Sequence, residues 1–156
     1  MRPLKATGAA PKKEAAPKPP TGPGLGDPAR DGKFEFVVHS VSCGKTRVGN
    51  EYLDEKAQGM FCQVAVTVTV RNIGAEAQTF SGSAQKAFDS QGTEFSNDTG
   101  AEMYANEGAP TFLKEINPGN SVKGTLIYDV PKGTRLTAVE LHDSMFSGGV
   151  RVRLAR

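Results

Sequence analysis

Cys43 and Cys62 are the only cysteines in the chain, and eighteen residues separate them. This spacing excludes a redox CxxC site, and a zinc site would need four ligands where the chain has two cysteines and two histidines. A cysteine nucleophile needs a histidine beside it, but His39 lies four residues from Cys43 on the same predicted strand, too far along to pair. The sequence therefore predicts a disulfide, which would stabilise the fold by about 3 kcal/mol, with two free buried thiols as the alternative.

The run His142-Asp143-Ser144 contains the three residue types of a hydrolytic triad. Neighbouring side chains on a strand point in opposite directions, so these three cannot line up as nucleophile, base and orienting acid. The pattern is typical of a strand end that runs into a turn. We therefore expect no catalytic residue in this segment.

Acidic residues are scattered through the middle of the chain, at Asp89, Glu94, Asp98, Glu102 and Glu107. The run from Asp89 to Glu94 lacks the alternating Asp/Asn ligands of an EF-hand. Gly92 at a positive-φ position instead favours a hairpin turn. The sequence thus predicts no metal site and no cofactor.

Large apolar side chains in predicted loops are the remaining candidates for a functional surface. Such residues either close the open ends of a sandwich or contact a partner. The segments of interest are residues 100–114 and 143–148. The candidate contact residues within them are Tyr104, Phe112, Met145 and Phe146.

The elements that position these residues are predicted to be strands, because the dominant hydrophobic period from Lys33 onward is two. The clearest case is residues 60–72, where every second residue from Cys62 to Val70 is apolar. Only residues 98–108 look helical, and no convincing capping pattern precedes them. Other strands are predicted at residues 34–42, 78–80, 85–89, 93–96, 121–129, 135–142 and 150–154.

Together with turn sequences rich in Gly, Pro and Asn, these short strands predict an all-β protein. The expected fold is an immunoglobulin-like β-sandwich of seven to eight antiparallel strands. In this arrangement Cys43 ends the first strand, and residues 45–56 form a solvated, charged excursion that leads to the strand with Cys62.

The N-terminal segment differs in composition from the rest. Residues 1–33 contain seven of the ten prolines and almost no large apolar side chains, so they are predicted to be a disordered tether, and residues 34–156 to be the folded domain. The tether carries a net charge of +4 and the domain −2. A slightly acidic domain is not expected to bind nucleic acid.

Membrane attachment within this sequence is not predicted. There is no run of eighteen apolar residues and no apolar h-region of a signal peptide near the N-terminus. Because the sequence runs directly into a tether, we expect a native export signal or membrane anchor to lie upstream.

The order of several segments resembles a known family. They are FEFVVHSVSCG (34–44), AQGMFCQVAVTVTVRNIGAEAQTF (57–80), QKAFDSQGTEFS (85–96), EINPGNSVKGTLIYDVPKGTRLTAVELHDS (115–144) and SGGVRVRL (147–154). The chain resembles a bacterial secreted and lipoprotein domain-of-unknown-function family with a telokin-like fold, which shares the immunoglobulin-like sandwich of the mycobacterial immunoprotective extracellular protein. The resemblance implies an extracytoplasmic domain of Gram-positive-type bacteria, with no known cofactor and no established catalytic residues.

The functional expectation is a non-enzymatic binding or interaction module, extracellular or associated with the bacterial cell envelope. Its partner would be a protein or an envelope ligand that the sequence does not identify. Two alternatives stay open: a small envelope hydrolase, and a structural accessory subunit of an envelope assembly.

Overall fold

The computed structural model describes residues 22–51, 54–71, 76–80, 85–105, 115–144 and 146–154. Ten strands and one helix lie within these residues. The strands are β1 Pro28–Asp31, β2 Phe34–Gly49, β3 Asp54–Val70, β4 Gln78–Thr79, β5 Lys86–Asp89, β6 Glu94–Ser96, β7 Glu115–Ile116, β8 Ser121–Val130, β9 Leu136–Leu141 and β10 Val150–Arg153, and the helix is α1 Thr99–Ala105. None of the helical segments among the described residues has the length and apolar character needed to cross a bilayer.

Two antiparallel four-stranded sheets form the architecture, in the orders β1-β2-β3-β8 and β10-β9-β5-β6, and β4 pairs with β7 in a small third sheet. The predicted all-β sandwich is therefore confirmed. The strand number exceeds the expected seven to eight because β1 and β7 were not predicted. β7 has only two residues, which is too short to show a period of two.

The main core lies between the two large sheets. The valines at every second position of β3 face inward and are almost completely buried, as the alternation predicted. They pack beside a cluster of three aromatic rings, Phe34, Phe36 and Phe80, whose centroids are 5.6–6.0 Å apart. Burial of these side chains is the principal stabilising contribution to the sandwich.

Both edges of the sandwich are bridged by chain segments, which leaves little exposed strand edge. Along one edge, residues 22–31 run between β2 and β10: Arg153 N donates to Pro23 O at 2.9 Å, and Asp143 N donates to Asp31 Oδ2 at 2.6 Å. At the other edge, Asn97 forms an isolated bridge with Tyr128 of β8.

The position of β1 corrects the expected boundary between tether and domain. Residues 28–31 were assigned to the tether, but they pair in register with residues 34–37 of β2. A proline is tolerated as the first residue of an edge strand because it need not donate a hydrogen bond there, and Ala29 next to it is buried in the main core. The remainder of the predicted tether up to residue 21 lies outside the described residues.

The segment after Cys43 is also different from the expected loop. β2 continues to Gly49 and β3 already begins at Asp54, so residues 45–49 and 54–59 form a paired extension of the β2-β3 hairpin. We call this extension the arm. The arm contains charged residues, and only its Val48 and Ala57 are buried, so its sequence does not show the alternation of a strand.

Candidate functional site

Cys43 and Cys62 form a disulfide, as predicted. The two residues are directly opposite each other in the β2-β3 pair, with 4.0 Å between their Cα atoms. Cys62 belongs to the main core, whereas Cys43 is exposed to solvent. The bond therefore joins β2 to β3 at the point where the sandwich ends and the arm begins.

The loop between β9 and β10 is the first candidate functional region. We call its described residues, 142–144 and 146–149, the Phe146 turn. The fully buried Gln85 fixes where the turn begins, since His142 N donates to Gln85 Oε1 at 2.7 Å and Gln85 Nε2 donates to His142 O at 3.3 Å. Lys33 N donates to Asp143 Oδ2 at 2.9 Å, which fastens the turn to the β1-β2 connection.

Ser147 closes the turn from within. Its hydroxyl donates to Asp31 Oδ2 at 2.5 Å and lies 3.0 Å from Ser144 O, and its backbone N–H donates to the same carbonyl at 3.1 Å. The bond to Asp31 reaches from the turn to β1, more than a hundred residues earlier in the chain. The loop backbone is consequently held by side chains from distant strands.

His142 occupies a polar site beneath the turn. Its Nδ1 lies 3.1 Å from Ser147 O, and its Nε2 lies 3.0 Å from Glu140 Oε1. The ring also covers Gly149, where a Cβ atom would lie 2.5 Å from His142 Cε1. Glycine at this position, with φ of 80°, is thus required by both the backbone and the packing.

The structure shows which hydroxyl groups lie near the imidazole of His142 in the His142-Asp143-Ser144 run. None of the hydrogen bonds in the turn joins Ser144 to the imidazole of His142; the nearest hydroxyl is that of Ser147, 3.5 Å from Nδ1. Nδ1 is also directed at the carbonyl oxygen of Ser147, 3.1 Å away. The described contacts of His142 and Ser147 brace the turn.

The four predicted contact residues have different outcomes. Phe146 projects from the braced turn with 90% of its surface exposed. Tyr104 is half-buried at the end of α1 and packs against residues beneath the helix. Phe112 and Met145 lie outside the described residues. Met103, on α1, is the other exposed large apolar side chain of the described part of the chain, at 52%.

The second candidate region is the junction of α1 with the sandwich. Val48, Ala57, Phe61, Ala101 and Ile127 form a small buried cluster here, which we call the outer core. It lies on the opposite face of the first sheet from the main core, because Phe61 and Ile127 alternate with inward-facing neighbours on β3 and β8.

The helix α1 does have a cap, contrary to the expectation from sequence. Asp98 Oδ1 accepts a hydrogen bond from Ala101 N at 3.0 Å, which is an N-cap interaction. The acidic residue that follows is Glu102, one position later than a capping box requires, so the sequence signature was incomplete. Glu102 packs inward and is only 6% exposed.

The carboxyl group of Glu102 has an unusual environment. Its Oε2 accepts hydrogen bonds from Ile127 N at 3.0 Å and Asn97 Nδ2 at 2.9 Å. Burial raises the pKa of Glu102 to about 7 in spite of these bonds, and the negative charge of Asp98 contributes in the same direction. Sequence analysis listed Glu102 among scattered acids because only the folded chain places it under β8.

In the part of the chain that the structure describes, no group of three or more His, Cys, Asp or Glu side chains is placed to hold a metal ion.

The Asp89 carboxylate stabilises a turn, as expected: its Oδ1 accepts hydrogen bonds from Gln91 N and Thr93 N, both at 2.9 Å. These bonds hold the pKa of Asp89 below its ordinary value, the bond from Thr93 most strongly. Gly92 has φ of 82°, as the hairpin required.

The fold and these sites define a β-sandwich domain with a braced aromatic turn, and comparison with known families identifies its class. The chain belongs to the family described as a domain of unknown function, DUF4352, whose sequence profile matches residues 23–152. This family membership confirms the resemblance inferred from the segment order. A comparison with curated protein sequences gives no match.

Solved structures of similar proteins share the fold. The secreted protein MPT63 from Mycobacterium tuberculosis is 15% identical, with 83% of this chain and 95% of that chain covered and a TM-score of 0.58. The yjhA protein from Bacillus subtilis is 15% identical, with 85% and 99% covered and a TM-score of 0.60. The putative lipoprotein ycdA from Bacillus subtilis is 15% identical over 80% of this chain but only 38% of that protein, with a TM-score of 0.54.

Proposed function

We propose that this domain is a non-enzymatic interaction module that acts outside the cytoplasmic membrane, and that the Phe146 turn is its contact surface. The observation that carries the proposal is the exposure of Phe146 on a turn whose backbone is already fixed. Exposed aromatic side chains are frequent anchors of protein interfaces. A turn that is ordered before binding loses little conformational entropy when it binds, which favours affinity.

The compartment is supported by two independent observations. The Cys43–Cys62 disulfide is typical of proteins in oxidising compartments. Two of the similar folds belong to a secreted protein and a putative lipoprotein. The partner would be a protein or another ligand of the cell envelope. Nucleic acid is not favoured, because residues 34–156 carry a net negative charge.

The path of the chain is compatible with a Phe146 turn that is accessible to a partner. The described residues begin at Gly22, whose carbonyl accepts a hydrogen bond from the guanidinium of Arg153 at 3.1 Å. Arg153 is the last residue of β10, whereas Phe146 precedes the first. An attachment through the segment before Gly22 would therefore leave the Phe146 turn at the other end of this strand, free to meet a partner.

Photo-cross-linking tests the contact surface. A photoreactive phenylalanine analogue is placed at Phe146 or, as a matched control on the other exposed apolar residue, at Met103, and both proteins are incubated with intact envelopes of the producing bacterium. We expect one saturable cross-linked product from position 146 and none from 103. Unlabelled protein should compete for it, while Phe146→Ala should compete at least tenfold less well, as for an interface hot spot.

The same preparations distinguish a failed surface from a failed fold. The free energy of unfolding of Phe146→Ala is expected to lie within about 0.5 kcal/mol of the wild-type value, because the side chain is exposed. If Phe146→Ala competes as well as the wild type, the Phe146 turn is not the contact surface.

A hydrolase is the second candidate, because one observation points to it: the Ser147 hydroxyl lies 3.5 Å from His142 Nδ1. An activated serine reacts with a fluorophosphonate probe, whereas a serine that only braces a turn does not. We expect no labelling of Ser147, with an unrelated serine hydrolase as the positive control. Stoichiometric labelling that Ser147→Ala abolishes would overturn the non-enzymatic proposal.

A further inference from the structure

Four carboxyl groups meet where α1 and the arm join the sandwich. Each comes from a different segment: Glu55 from the arm, Asp98 from the cap of α1, Glu102 from α1 itself and Asp129 from β8. Two of them approach the same point at Gly100, where a Cβ atom would lie 3.1 Å from Glu55 Oε1 and 3.4 Å from Asp98 Oδ1. The arm and the start of the helix thus present carboxylate oxygens to the same spot.

Glu55 extends from the arm toward Asp98 at the start of α1. Two ionised carboxylates this close to each other repel, so the contact favours the protonated form of Glu55. Burial is the main cause that raises the pKa of Glu55, followed by the proximity of Asp98 and the negative charges of Asp98 and Asp129. The contact between the arm and the helix cap is therefore expected to weaken when Glu55 loses its proton.

Basic side chains do not neutralise this cluster in the part of the chain that the structure describes. The charged groups that change the pKa values of Glu55 and Glu102 are all acidic. On the arm, Arg47 pairs with Asp54 at 2.8 Å, and Lys45 and Lys56 are exposed. The Asp129 carboxylate has a separate structural role, since it accepts hydrogen bonds from the backbone N–H groups of residues 58 and 59 at 2.8 and 3.0 Å.

The apolar contacts at the same junction are few. The outer core consists of five buried residues, two of them alanines, beneath a helix of seven residues. A helix of this length is not stable without its tertiary contacts. Electrostatic repulsion among the carboxylates therefore acts on a helix that is held to the sheet by a small apolar cluster.

We propose that this junction is a pH-operated latch, in which protons on Glu102 and Glu55 hold α1 and the arm against β8. When these protons leave, Glu102 becomes a buried anion beside Asp98, and Glu55 becomes an anion that is repelled by Asp98 and Asp129. The helix then detaches and uncovers Phe61 and Ile127, which are fully buried when it is docked. The latch closes in mildly acidic and opens in mildly alkaline conditions.

Hydrogen exchange tests the latch on the whole chain. Protection factors, corrected for the intrinsic pH dependence of exchange, are measured between pH 5.5 and 9. For the wild type we expect protection of residues 101–105 to fall at least tenfold over this range. Protection of residues 63–69 in the centre of β3 should remain constant, because these residues belong to the main core.

Variants assign the effect to its groups. Glu102→Gln keeps the side-chain shape and a hydrogen-bond acceptor but cannot ionise, so the loss of protection should largely disappear. Glu55→Gln should reduce the loss of protection by a smaller amount. This variant provides the test if Glu102→Gln does not fold. Glu115→Gln, an exposed carboxylate on β7, is the matched control and should behave as the wild type.

Two results would overturn the latch. One is constant protection of residues 101–105 from pH 5.5 to 9 in the wild type. The other is an undiminished pH dependence in both Glu102→Gln and Glu55→Gln, which would place the titrating group elsewhere.

Discussion

The two faces of the first sheet carry cores of different character. Between the sheets, the main core joins twenty-one described residues, among them the valines of β3 and three phenylalanines. On the opposite face, the outer core joins five, under a single short helix. The main core has no ionisable carboxyl group within it, whereas four carboxyl groups border the outer core.

The difference shows how one sheet can supply both a rigid scaffold and an adjustable element. Buried apolar area stabilises the main core independently of pH. The outer core contains only five buried residues, so we expect the protonation of the neighbouring carboxyl groups to change its stability measurably. We therefore expect variants in the two regions to differ in what they unfold as well as in how much they destabilise.

The largest expected effect comes from the aromatic cluster of the main core. Phe36→Ala should lower the free energy of global unfolding by about 3–5 kcal/mol, because it leaves a cavity beside Phe34 and Phe80. Val48→Ala in the outer core removes two carbons and should cost about 1.5 kcal/mol. Urea unfolding measures the global loss and hydrogen exchange the local one.

Phe36→Ala and Val48→Ala should also destabilise different parts of the molecule. Val48→Ala is expected to lower protection in α1 and the arm while β3 keeps its own. If it instead lowers protection equally throughout the sheet, the two cores unfold as one unit and the contrast between them is wrong.

The second effect concerns the disulfide at the border of the two regions. Reduction of Cys43–Cys62 should lower the free energy of unfolding by about 3 kcal/mol, the value for closing a loop of this size in the chain-entropy model. Urea denaturation with and without a reductant measures it. Cys43→Ala/Cys62→Ala should show no response to reductant. An equal response in this variant would mean that the reductant acts on something else.

The third effect is the pH dependence of stability that Glu102 causes. Its pKa is about 7 in the folded protein against 4.5 when exposed, so the folded state binds the proton more tightly. The resulting stabilisation is complete below pH 4.5 and is lost as the pH rises through 7, by about 3 kcal/mol at most. Unfolding of wild type and Glu102→Gln at pH 5 and pH 8.5 measures the difference. Parallel pH profiles of the two proteins would contradict the assignment.

The smallest effect tests a polar exception in the main core. The Tyr128 hydroxyl is buried without a hydrogen-bond partner among the described residues, and its burial raises the pKa of Tyr128 well above 10. Tyr128→Phe removes an unsatisfied polar group, so stability should be unchanged or higher by about 1 kcal/mol. Thermal unfolding measures it, with Tyr104→Phe as the half-buried control. A loss above 1 kcal/mol would show that the hydroxyl has a partner.

Much of the fold could be predicted because its signals are local. The alternation in β3 and the turn around Gly92 depend on residues that are close in sequence. The arm could not be predicted in the same way, since its paired strands carry mostly exposed charged side chains. β1 was missed because a segment rich in proline and glycine becomes a strand only when β2 is available to pair with it.

The candidate sites show the same division. The sequence placed Phe146 in a turn-like segment and left open whether it closes the end of the sandwich or contacts a partner, and the structure shows it exposed. Its bracing did not, because Asp31 and Ser147 are 116 positions apart in the sequence. Likewise, the sequence placed Glu102 among scattered acids, and only the packing of α1 on Ile127 made its carboxyl group buried.

The amino-acid sequence by itself determined the all-β class and the inward face of β3, because the hydrophobic period is a property of the chain alone. It predicted the Cys43–Cys62 disulfide but left two free thiols as an alternative, and the structure brings the two cysteines together. The tertiary structure decided which polar groups meet: Gln85 with His142, Asp31 with Ser147, and Glu102 with Ile127. Hydrogen bonds and charges act over a few ångströms in space, so their partners are fixed only when distant segments are packed together.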